Sequence, residues 1–168
     1  MKAYLRTAAV LVIAGVIVLV LFLMKEASKP ESVIIGEERK KLADSIDKNR
    51  AENDPIYARS VEEKLQFLDY RQAIAYNSEN KPDEAIAVLK TLISTEQAKS
   101  QRGITRRSRS YANEARYYEA LGTSFELKHD EDNAKKAAQN REELLAKASE
   151  LRKREEREEG RSVGLTAQ

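Results

Sequence analysis

Uncharged residues run unbroken from Thr7 to Met24, eighteen positions held between Arg6 and Lys25. At about 1.5 Å per residue a helix of that length spans roughly 27 Å, close to the hydrocarbon thickness of a bilayer. Beyond the contiguous Val33 to Ile35, apolar residues return at helical spacing. Leu42 and Ile46 lie one turn apart and predict a weakly apolar first helix over Glu37 to Asn53. Asp54 is a good N-cap and Pro55 suits the first helical position, so the next helix starts there; Tyr57, Val61, Leu65, Leu68, Ala73 and Tyr76 carry its apolar stripe to Ser78. After the turn Glu79 to Pro82, a third helix shows Ala85, Val88, Leu89, Leu92 and Ile93 on one face and folds back as a hairpin. A fourth, from near Tyr111, carries Ala115, Tyr118, Leu121 and Phe125 and stops at Lys128 to Asp132. The fifth follows with Ala134, Ala137, Ala138, Leu144, Leu145, Ala148 and Leu151. Arg152 to Glu159 is wholly charged, and Gly160 to Gln168 is expected to be disordered.

This divides the chain into a tail and transmembrane anchor (1–24), a juxtamembrane linker (25–36), a helical domain (37–159) and a disordered tail (160–168). The linker rests on Ser28, Pro30, Ser32 and Gly36. Its one apolar cluster, Val33 to Ile35, is read as a hydrophobic staple entering the first helix; dipping into lipid headgroups is the alternative. A cleaved signal peptide competes with the anchor. Its apolar run is typically about 7 to 15 residues and ends at small residues, whereas here the exit is Leu23, Met24, Lys25, Glu26, Ala27. The short basic N-terminus favours N-inside, which in a Gram-negative cell makes this a single-pass inner-membrane protein with a periplasmic domain. Gly15 has no small residue four positions away, so the anchor reads as a plain tether.

Two stretches coincide when Ala85 is laid on Ala134: Tyr76 falls on Phe125, Ala73 on Gly122, and Pro82 to Glu84 on Glu131 to Asn133. In the second, Tyr118, Leu121, Gly122, Phe125 and Ala134 keep a spacing in which small residues let paired helices approach and large ones fill the groove. This resembles the tetratricopeptide repeat (TPR). The first unit departs from the pattern at Gln72, where a leucine is expected, and at Asp69, where a large aromatic is. The units recur after 49 residues rather than about 34, which places an insertion over Ala98 to Ser110. An unrelated antiparallel bundle with the same spacing is the alternative. The resemblance implies an all-α fold of antiparallel hairpins, with protein binding rather than catalysis, in a groove lined by the first helix of each pair. Candidate groove residues are Tyr70, Asn77, Arg116, Tyr117 and Ser124, each of which would otherwise be plain surface.

Composition narrows the chemistry. With no cysteine, disulfides, thiol catalysis and thiolate zinc sites drop out. Of the 30 basic residues Lys2 and Arg6 precede the apolar run; the remaining 28 balance 28 acidic ones, so the domain lacks a global field for polyanions and no nucleic-acid partner is expected. One local excess stands out. No acid lies between Glu96 and Glu114, while Lys99, Arg102, Arg106, Arg107 and Arg109 do, a candidate anion-binding segment or else a solvated loop. His129, the only histidine, sits among Asp130, Glu131 and Asp132, but adjacent turn residues rarely converge on one ion. No nucleophile accompanies it, so neither an enzyme nor a cofactor is expected. Pairs four apart in the last helix, such as Glu150 with Arg154 and Arg152 with Glu156, support it without burial, and a coiled-coil contact is the alternative. The expectation is a membrane-tethered TPR-like adaptor for a protein partner. Its rivals are an accessory subunit of a larger membrane complex and a polyanion binder acting through residues 99–109.

Overall fold

The computed structural model describes residues 29–101 and 107–165, and all the secondary structure in them is helical. In chain order the helices are α1 (Glu31–Asp44), α2 (Lys48–Asn53), α3 (Pro55–Ser78), α4 (Pro82–Gln101), α5 (Ser108–Leu127) and α6 (Glu131–Leu165). None of the described helices is long and apolar enough to cross a membrane; the expected anchor, residues 7–24, lies outside the described residues.

The two hairpins, α3 with α4 and α5 with α6, turn in the same way. Asn80 and His129 sit in the left-handed region at φ 57° and 58°. The next amide reaches back five residues, from Lys81 to the Tyr76 carbonyl at 2.8 Å and from Asp130 to the Phe125 carbonyl at 2.9 Å, a Schellman closure that satisfies the last carbonyls of each first helix. The second helix then starts on equivalent bonds, Ala85 N–H to Lys81 and Ala134 N–H to Asp130. These pairs are the 49-residue register read from the sequence. Gly122 lies where a Cβ would stand 3.7 Å from Ala137 Cβ and 4.0 Å from the Ala134 carbonyl, so α5 and α6 approach closely there.

The main core joins α3, α4 and α5 through Ala73, Ala85, Leu89, Leu92, Ile93, Tyr117, Ala120 and Leu121, with Tyr76, Tyr118 and Phe125 packed on it. α3 and α5 run parallel: Tyr70 meets Tyr117 with ring centroids 5.6 Å apart, and Asn77 donates to the Ala120 carbonyl at 3.1 Å. A smaller core holds α1 antiparallel on α3, through Ile35, Leu68 and Ala75, with Leu42 beside them.

Several boundaries differ from the sequence reading. The linker expected over 25–36 ends early, because α1 begins at Glu31, behind Pro30. The Glu79 carboxylate accepts from the first turn of that helix, from Ser32 N–H at 2.9 Å and Ser32 Oγ at 2.7 Å. Val33 to Ile35 is therefore helical rather than a staple, with Ile35 buried and Val33 and Ile34 outside. The helix expected over Glu37–Asn53 breaks at residues 45–47: Ser45 Oγ turns back to the Leu42 carbonyl, and Asp47 accepts from Arg50 N–H as a new N-cap. At the other end α6 continues to Leu165, past the disordered tail expected from Gly160. Before that point Arg152 Nε donates to Glu156 at 2.9 Å and Arg154 pairs with Glu150, the four-apart ion pairs that support a solvated helix. The segment Ala98–Ser110, expected as an insertion, is helical at both ends. α5 starts at Ser108, whose N–H and hydroxyl both donate to Glu155 of α6, at 3.1 and 2.6 Å.

Candidate protein-binding face

α1 is held to α3 by the two positions at which the first unit departs from the repeat pattern. Asp69 pairs with Arg39 of α1, and Gln72 Nε2 donates to the Ser32 carbonyl at 3.0 Å and lies 3.3 Å from Tyr76 Oη. This side of α3 receives α1, and Asp69 and Gln72 are polar groups that meet it. Gly36 makes room for it, since a Cβ there would lie 2.8 Å from Gln72 Nε2.

With α1 and α4 covering two sides of α3, a third remains open. Along it Phe67 is 59% and Ile74 43% exposed, two turns apart, and Ile56 continues the line toward the start of the helix. Glu31, Ile34 and Glu38 follow one another along α1 at the same kind of spacing. Arg71, between Phe67 and Ile74, reaches Glu31 at 3.8 Å and Glu38 at 3.9 Å. That register sets Ile34, 47% exposed, alongside the α3 stripe. Toward α5 the face continues through Tyr70 to Arg116 and Glu119. Partial burial raises the Tyr70 phenol above its ordinary range, with the Glu119 carboxylate adding to the shift and the Arg116 guanidinium opposing it.

The sequence-derived groove residues divide. Tyr70 lies at the edge of this face and Arg116 is exposed on it. Tyr117 and Ser124 do not belong to an exposed groove. Tyr117 is 5% exposed in the main core, and burial pushes its phenol up to about 12, with the Glu96 carboxylate adding to the shift. Ser124 is 0% exposed and its Oγ donates to Asn77 Oδ1 at 2.8 Å. Asn77 is thereby committed to the α3–α5 joint from both ends of its amide. Phe67, Ile74 and Ile34 were missed. At the sequence level Ile34 is hidden inside an assumed linker, and Phe67 and Ile74 fall outside a stripe drawn through the buried side.

The basic segment is not one surface. Lys99 turns inward, 2.6 Å from Glu96 and 3.4 Å from Glu62, and Glu96 is itself buried. Burial alone would lower the Lys99 ammonium, and those carboxylates more than reverse it, raising the group above its usual range. Arg107 and Arg109 are exposed, the former close enough to Glu155 to help hold that carboxyl low after its bonds from Ser108. Arg102 and Arg106 lie outside the described residues. Buried Glu114 accepts from Gln97 Nε2 at 2.9 Å, beside an open polar cleft of about 300 Å³ between α4, α5 and α6. Among the described residues no group of three or more His, Cys, Asp or Glu is placed to hold a metal ion, and His129 is exposed at its turn. The chain matches no protein-family model, no curated protein and no solved structure.

Proposed function

We propose that this chain is a membrane-tethered, TPR-like adaptor that holds a protein partner close to the inner membrane, its helical domain on the periplasmic side. Residues 7–24 supply the tether, eighteen uncharged residues entering the domain through Pro30. The observation that carries the reading is the repeated hairpin. Two helical pairs close on matching left-handed turns at Asn80 and His129, and their first helices, α3 and α5, lie parallel. Parallel first helices present a continuous outer surface, the arrangement by which stacked helical pairs bind proteins. Here that surface bears apolar side chains that the fold itself leaves uncovered.

The test combines fractionation with crosslinking in intact cells. The full chain should resist alkaline extraction from membranes, deletion of residues 7–24 should release it, and crosslinks from the domain should reach another protein. Mature material that begins beyond Met24 and stays in the aqueous fraction would overturn the tether. A domain that yields no protein crosslink from any surface would overturn the adaptor.

A further inference from the structure

Charge and shape on the α1/α3/α5 face specify what it receives. Its apolar groups form a line along α3 rather than a pit: Phe67 and Ile74 are seven residues apart, about 10 Å of helix rise, with Ile34 of α1 alongside. A line of that period fits the apolar seam of a second helix lying along α3, whose own contacts recur every seven residues.

The bordering carboxylates are already engaged by arginine. Glu63 pairs with Arg59 at 3.2 Å, Glu119 with Arg141 at 3.5 Å, and Glu31 and Glu38 share Arg71. Two cations are left over. Lys64, one turn before Phe67, and Arg116, beside Tyr70, are exposed, and among the described residues neither has a carboxylate within ion-pair distance. The face as folded carries Ile34, Phe67 and Ile74 with the Arg71 guanidinium between the last two, and its five cations, Arg59, Lys64, Arg71, Arg116 and Arg141, exceed its four carboxylates by one. An acidic helix would be steered to it and a basic one repelled.

We infer that the face made by Ile34, Phe67 and Ile74, flanked by Lys64 and Arg116, docks an acidic amphipathic helix of a partner protein. This rests on the adaptor reading and names the chemistry of the partner segment. That helix presents apolar residues one heptad apart to Phe67 and Ile74 and sets carboxylates against Lys64 and Arg116. Arg71, turned toward Glu31 and Glu38 of α1, lies on the same face between the two apolar side chains.

A photo-crosslinking residue placed at 67 or 74 in the full-length, membrane-resident chain tests this, with Lys90 on the outer side of α4 as the control position. The crosslinked peptide is sequenced by mass spectrometry. Position 67 or 74 should capture a segment of another protein that has an apolar heptad stripe and net negative charge. Combining Lys64→Glu with Arg116→Glu should cut the yield by about tenfold, and Lys64→Gln with Arg116→Gln should fall between. Four outcomes overturn the inference: a crosslink to a second copy of this chain, a lipid adduct, a partner segment that is basic or lacks the stripe, or a yield that ignores both charge variants. Protein crosslinks from position 90 alone would leave the adaptor standing and exclude this face. Silence at all three positions would count against both.

Discussion

Glu79 closes the N-terminus of α1 from 47 residues away, accepting from the Ser32 amide at 2.9 Å and the Ser32 hydroxyl at 2.7 Å. It lies just past the end of α3, where a negative charge beside the helix carbonyls would be unfavourable alone. The arrangement holds because α1 is antiparallel and brings its positive end to the same place, and because Lys81 stands 2.7 Å from the carboxylate. The Lys81 hydrogen bond first, then the Ser32 amide, pull the Glu79 carboxyl down to about 2.

A depressed carboxylate stabilises the fold above its unfolded pKa, near 4.5, and that contribution fades as pH falls toward about 2. Glu79→Gln should therefore destabilise the protein at neutral pH by about 1–2 kcal/mol, the range of a helix cap with a charge-assisted bond. The difference between variant and wild type should shrink steadily between pH 4.5 and pH 2. Thermal unfolding of both proteins across that interval measures it, and a constant difference would separate the cap from its charge.

Asn80 and His129 occupy left-handed turns for which only glycine lacks a steric penalty, and asparagine is the better tolerated of the two. His129→Gly should raise stability by up to about 1 kcal/mol, and by more than Asn80→Gly does. His129→Val, branched at Cβ, should lower it by about 1–2 kcal/mol. Denaturant midpoints of the three variants decide the order, and a neutral valine would show that the turn relaxes.

Two glycines inside helices should respond differently to alanine. At Gly122 a Cβ meets Ala137 at an ordinary 3.7 Å, so Gly122→Ala gains about 1 kcal/mol of helix propensity. Gly122→Leu overfills the α5–α6 crossing and costs about 1–3 kcal/mol. At Gly36 the same methyl falls 2.8 Å from Gln72 Nε2, displacing the amide that ties α3 to the Ser32 carbonyl. Gly36→Ala should loosen the tie between α1 and α3 yet leave net stability within about 0.5 kcal/mol, the propensity gain of about 1 kcal/mol offset by one part-buried hydrogen bond of similar size. Amide hydrogen exchange confined to residues 31–44 reads that loosening.

How far the sequence reached depends on what each position packs against. The hairpin turns were legible because a left-handed residue, a five-residue reach-back and a restarting amide recur in fixed register, visible as Tyr76 over Phe125 and Ala85 over Ala134. Tyr117 was misplaced because a single stripe through Ala115, Tyr118 and Leu121 assumes one buried side. α5 is contacted by α3, α4 and α6, so its buried arc is wide enough to take both tyrosines. Gln72 and Asp69 looked like defects in a repeat and are the groups that receive α1. The buried carboxylates Glu96 and Glu114 gave no signal, since their burial is fixed by neighbours at the far ends of α4 and α5.

Lys99 separates an internal role from a ligand-binding one. Its ammonium neutralises buried Glu96, whose other oxygen accepts from Ser110 Oγ, and it also reaches Glu62 on α3. Removing it strands a carboxylate that cannot return to water without opening the α4–α5 joint. Lys99→Met should cost about 2–3 kcal/mol. Pairing it with Glu96→Gln should restore much of that, because the amide no longer needs a cation. A polyanion contact predicts otherwise: unchanged stability in Lys99→Met, and loss only of salt-dependent binding. A double-mutant cycle on unfolding free energy distinguishes the two, and a coupling near zero would return Lys99 to the surface.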